Sequence, residues 1–119
     1  NSVINPMTAL LNITNGELDN HRHKTALDCA ITEVATIFRW SGHAEIADNL
    51  PNRVHHVISD TANNSSSMRI DRQRLSRTEH EEILGYLLEE FGGTVAQERP
   101  STPLLSNWLT ALRRPYPSP

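Results

Sequence analysis

Residues 27–58 read LDCAITEVATIFRWSGHAEIADNLPNRVHHVI, and the spacing of their apolar side chains decides the fold. Leu27, Ile31, Val34 and Phe38 recur at steps of four, three and four, which places them on one face of a helix. Ser41-Gly42 interrupts the rhythm, and Ile46, Leu50, Val54, Val57 and Ile58 take it up again. Two amphipathic segments joined by a tight corner describe an antiparallel helical hairpin. Pro51 lacks an amide hydrogen and crowds the preceding turn, so a kink or break is expected at Leu50.

Toward the N-terminus, Asn5-Pro6 reads as a cap followed by proline at the first helical position. It opens a short helix to about Asn12, with Met7, Leu10 and Leu11 inward. Asn15-Gly16 is a turn, and the first arm of the hairpin is expected to start between Glu17 and Asn20, where acidic side chains suit the positive helix end. Beyond the hairpin, Thr61 to Ser67 (TANNSSS) has no apolar anchor. Residues 61–75 are therefore expected to form a mobile, Arg-rich loop, with Met68 to Leu75 fitting either a strand or one helical turn. Ser76-Arg77-Thr78-Glu79 is a capping box for a helix at about 77–91, with Ile83, Leu84, Leu87, Leu88 and Phe91 as its stripe and Gly92-Gly93 as its stop. Thr102-Pro103 opens a last helix over about 103–113, with Leu104, Leu105, Trp108, Leu109 and Leu112 inward. Residues 115–119 should be an extended tail. The expected architecture is all-α: one domain over residues 1–119, a bundle of about five helices built on the hairpin.

Composition agrees with this and excludes several function classes. At 119 residues the chain can bury a core without disulfides or metal. Aromatic content is 5 %, too low for an aromatic-rich sandwich core. No apolar run is long enough for a membrane span, no charged start followed by an apolar stretch suggests a secretory signal, and Met7 is a candidate start. Cys29 is the only cysteine, which fits a reducing compartment and makes the cytoplasm the expected location. The net charge of −3 argues against a polyanion binder as a whole.

Candidate chemistry is sparse. Asp19 and His23 are four apart at the start of one arm, and His56 and Asp60 four apart at the end of the other, so the open end of the hairpin could gather a zinc-type set. His21 and His55 are alternates, and a polar, locally paired hairpin end is the plainer outcome. Cys29 has threonines around it and no basic neighbour to activate it. His80 shares a face with Ile83 and Leu84 and reads as a boundary residue. Neither a Gly-rich phosphate loop nor a nucleophile elbow occurs, so no catalytic residue and no cofactor is assigned. The hairpin corner offers Glu45 and Asp48 rather than basic residues, which argues against a groove-reading helix.

What remains is Arg69, Arg72, Arg74 and Arg77, with Tyr116 in the tail, as candidate partner-binding residues. Pairing with Glu79, Glu81 and Glu82 is the alternative fate of these arginines. Ala44 to Pro51 (AEIADNLP) is similar to a stretch in small, uncharacterised bacterial helical proteins and implies no functional residue. The function expected by elimination is a non-catalytic protein-interaction module, such as a small bacterial or phage inhibitor, immunity or antitoxin-like protein. The alternative is a dimeric nucleic-acid-associated regulator using Arg69–Arg77, and the third reading is a metal-dependent helical enzyme. Homodimerisation through an exposed leucine face is compatible with each.

Overall fold

The computed structural model describes residues 3–74, 80–85, 88 and 102–114. Among these, every regular element is helical, as the apolar spacing predicts. Helix α1 spans Ile4–Leu11, α2 Lys24–Trp40, α3 Ala44–Asp60, α4 Ser67–Gln73 and α5 Pro103–Leu112. Two 3-10 turns, Asn15–Asp19 and His21–His23, lead from α1 into α2, and a π-helical turn occupies Glu81–Gly85.

The hairpin is α2 and α3. Leu27, Ala30, Ile31, Val34 and Ile37 of α2 are buried, and Val54 and Ile58 of α3 close over them. Gly42, at φ +90, takes the left-handed conformation that ends α2 and lets His43 N–H reach back to Phe38 O at 2.8 Å. Helix α1 contributes Ile4, Met7 and Ala9 to the same core and lies against α4, whose Met68 is buried. Leu84, Leu88, Leu105, Leu109 and Leu112 complete it, with Trp108 packed at its edge.

Several local expectations are corrected. The first arm starts at Lys24 rather than at Glu17–Asn20, because Asn20 adopts an extended conformation (ψ 139) and its side chain accepts the Arg22 N–H at 3.0 Å. Pro51 does not break α3, which runs unbroken from Ala44 to Asp60. Proline removes one donor, and the buried flanks at Ala47, Val54 and Ile58 outweigh that loss. Ile46 and Leu11, expected inward, are exposed; Ile46 precedes Ala47, and one residue is a rotation of about 100° off the buried stripe. In α1 the cap is Val3, not Asn5, and no side chain caps it.

The expected loop over 61–75 is corrected in part, since Ser67–Gln73 is helical, the second of the two readings open for Met68 to Leu75. Ser66 caps it by accepting the Arg69 N–H at 3.1 Å, and Met68 alone anchors it to the core. The helix expected at about 77–91 is described only in part, and there it widens into the π-helical turn Glu81–Gly85. Its capping box, its Gly92-Gly93 stop and the tail at 115–119 lie outside the described residues.

Thr102 does not cap α5 through its side chain. Instead Glu33, 7 % exposed on α2, accepts the N–H groups of Leu104 and Leu105, both at 2.9 Å. Two orphan donors and the positive end of α5 are thereby met by a carboxylate from another helix. No helix among the described residues is long and apolar enough to cross a membrane.

Candidate functional site

Three buried polar residues, Thr8, Asn15 and Ser66, converge on one seam. Its first wall runs from Thr8 on α1 through Asn12 to the turn at Asn15-Gly16. The second is the link between α3 and α4, Thr61 to Ser66. Thr8, fully buried, bonds Ile4 O at 2.7 Å and Ser66 Oγ at 2.7 Å. Asn15 N–H donates to Asn64 O at 3.0 Å, and Gly16 N–H to Ala62 O at 2.9 Å. A Cβ on Gly16 would stand 2.7 Å from Ala62 O, so only glycine permits this approach.

Asn15 is the centre of the seam. Only 7 % exposed, it donates from Nδ2 to Thr61 Oγ1 at 2.9 Å. Thr61 Oγ1 donates its own proton to Val57 O at 2.7 Å, so it can only accept from Asn15. That chain fixes the orientation of the amide. It also leaves Asn15 Oδ1 as a buried acceptor without a hydrogen-bond partner among the described residues. Such an atom costs about 1–3 kcal/mol and is a reason to look for a donor from outside.

The rest of the seam is charge-assisted. Asn12 is left-handed (φ 56) and closes α1. Its Oδ1 accepts from Arg69 Nε at 3.1 Å and from Gln73 Nε2 at 2.6 Å, while Arg69 Nη1 donates to Ser65 Oγ at 2.7 Å. Thr14 and Glu17 form a capping box whose hydrogen bonds hold the Glu17 carboxyl below the ordinary glutamate range, with Arg69 adding to the effect. The seam thus presents amides and hydroxyls, suited to orienting a small polar molecule rather than to taking its protons.

The open end of the hairpin, where a metal set was expected, is built differently. Asp19 meets the alternate, His55, at 3.3 Å, and His56 pairs with Asp60 at 3.0 Å within its own helix. His23 joins neither pair as predicted, and no group of three or more His, Cys, Asp or Glu able to hold a metal occurs among the described residues. An open cleft of about 320 Å³ lies here, beside Leu18, His21, Lys24, Asp28 and His55. Lys24 and Asp28, 2.8 Å apart, pair across its rim; the shared hydrogen bond raises the lysine and lowers the aspartate from their ordinary values.

The predicted arginines are dispersed. Arg69 is engaged in the seam, Arg72 Nη1 reaches Arg114 O at 3.5 Å, and Arg74 is exposed. Arg77 and Tyr116 lie outside the described residues. Cys29 is exposed, with Sγ 3.9 Å from Glu33 Oε2, and His80 is half-buried. Asn15, Thr8 and Arg69's partner Asn12 were not singled out by sequence. The available signal was two Asn/Ser/Thr clusters, NITN at 12–15 and TANNSSS at 61–67, neither of which was read as a site.

A family model described as the C-terminal part of ketopantoate reductase PanE/ApbA matches residues 1–112. A 2-dehydropantoate 2-reductase of Salmonella typhimurium is 44 % identical over 89 residues, covering 75 % of this chain and 29 % of that protein. The Escherichia coli O157:H7 protein of that name is 43 % identical over 88 residues, covering 74 % and 28 %. The Bacillus subtilis one is 35 % identical over 91, covering 76 % and 29 %. The chain therefore spans less than a third of the length of these curated relatives. They overturn the expectation of a non-catalytic inhibitor, immunity or antitoxin-like module, and with it the reading as no enzyme, because the relatives are reductases.

Proposed function

Because the chain belongs to the ketopantoate reductase PanE/ApbA C-terminal family, we propose that it is the substrate-holding helical part of a 2-dehydropantoate 2-reductase. Reduction at C2 of a 2-oxo acid needs hydride delivered to carbon and a proton delivered to oxygen. This chain carries no GxGxxG dinucleotide fingerprint, so the hydride donor is not assigned to it. Its part is to hold the substrate in one orientation, which is where much of an enzyme's advantage arises.

The observation that carries this reading is the orphaned Asn15 Oδ1. 2-Dehydropantoate bears a hydroxyl besides its carboxylate and oxo groups, and a hydroxyl is one kind of donor that would satisfy this acceptor. The neighbouring Ser65 hydroxyl, which accepts from Arg69 and keeps its own proton, suits one of the remaining oxygens. The cytoplasm is the proposed compartment, in keeping with a lone, unpaired cysteine.

The test is steady-state kinetics on the full-length protein that carries this chain, following 2-dehydropantoate-dependent oxidation of a reduced nicotinamide dinucleotide. Asn15→Ala is expected to lower kcat/KM by about tenfold or more, the loss of one buried hydrogen bond in the complex. Absence of substrate-dependent oxidation in the wild type sinks the proposal, as does an Asn15→Ala enzyme of undiminished kcat/KM.

A further inference from the structure

Resting on that reading, we infer that Arg69 is a positioning residue for substrate binding: its guanidinium ties the two walls of the seam together and so sets the place at which Asn15 meets the substrate. The guanidinium lies between them. On the first wall, Nε donates to Asn12 Oδ1 at 3.1 Å and Nη2 to Asn12 O at 3.4 Å. On the second, Nη1 donates to Ser65 Oγ at 2.7 Å. Asn12 and Ser65 are 53 residues apart in sequence, by subtraction, so only tertiary structure brings them to one side chain.

Each anchor leads directly to Asn15. Asn12 is the left-handed corner, a conformation asparagine adopts readily, from which the chain turns toward Asn15 three residues on. Ser65 follows Asn64, whose carbonyl accepts the Asn15 N–H. Arg69 itself is fixed by the cap of its own helix, since its N–H donates to Ser66 Oγ, and Ser66 is bonded in turn to Thr8. Gln73, one turn along α4, braces Asn12 from the same helix at 2.6 Å. A planar fork with several donors can span the walls in this way, whereas an ammonium has no fixed fork.

Arg69 touches Asn12 and Ser65, not the orphaned acceptor, so it acts through the geometry of Asn15. Losing it should weaken the ground and transition states alike, which raises KM and leaves kcat nearly as it was.

The experiment compares Arg69→Met, Arg69→Lys and Arg74→Met in the full-length protein, with kinetics on 2-dehydropantoate and amide hydrogen exchange of residues 12–16. Arg69→Met is expected to raise KM about tenfold with kcat changed less than about twofold, and Arg69→Lys to recover part of the loss. Exchange at Asn15 and Gly16 should speed up in Arg69→Met while α2 stays protected. Arg74→Met, on an exposed residue of the same stretch, should keep the wild-type KM. An unchanged KM in an active Arg69→Met enzyme overturns the inference alone. So does a fall in kcat at constant KM. An inactive wild type instead removes the parent reading, and the role of Arg69 falls with it.

Discussion

Gly16 shows how narrowly the seam is specified. Its conformation is ordinary; the constraint is the 2.7 Å between a built Cβ and Ala62 O, which is backbone and cannot swing away. Gly16→Ala should therefore force the turn off the α3–α4 link and destabilise the fold by about 2 kcal/mol, typical of overpacking, seen as a lower denaturant midpoint. Next to it, Glu17 is held below the ordinary glutamate range first by its hydrogen bonds to Thr14. The native state then binds the Glu17 proton less readily than the unfolded chain does. Its contribution is present above the unfolded value and is lost as pH falls through the folded one. A Glu17→Gln variant should accordingly lose less stability than the wild type when thermal melts are compared from neutral pH down through the carboxylate range.

At the scale of elements, α5 is joined to the hairpin by Glu33 as well as by leucines. Its carboxylate, buried on α2, takes the first free N–H groups of α5. Glu33→Ala would strip two donors of their acceptor, and a loss of about 3 kcal/mol is expected, read as a lower melting temperature. Little of this join was legible in advance. Leu27, Ile31 and Val34 declared the hairpin because helical periodicity is a local property, written into consecutive residues. Glu33, between Thr32 and Val34, has no local feature that sets it apart from a solvated glutamate; its role depends on where residues 104 and 105 come to rest. The seam was hidden for the same reason. Asn15 and Thr61 are 46 residues apart, and two runs of turn-forming residues look alike whether they face water or each other. Pro51 misled in the opposite direction, since a local rule was outweighed by apolar burial on both sides of it.

At the scale of the molecule, the arginines were legible as residues but not as a surface. Read along the chain, Arg69, Arg72 and Arg74 form one basic run. Folded, the first is drawn into the seam and the second reaches Arg114 O. A linear count of charge could not distinguish an outward-facing patch from an internal tie. Nor could the sequence alone point to a reductase family, because the chain is less than a third of its relatives' length.

The pairing of Asn15 with Asn64 and of Gly16 with Ala62 has one more consequence, for the order of folding. Both arms of the hairpin lie, in sequence, between the partners. Their ends cannot meet cheaply while those forty-odd residues are an open loop, since closing a long flexible loop costs chain entropy that two hydrogen bonds do not return. Once α2 and α3 zip together through contacts close in sequence, the same loop becomes a short rigid span and closure costs little. The seam then closes after the hairpin, so its hydrogen bonds report that α2 and α3 are already paired.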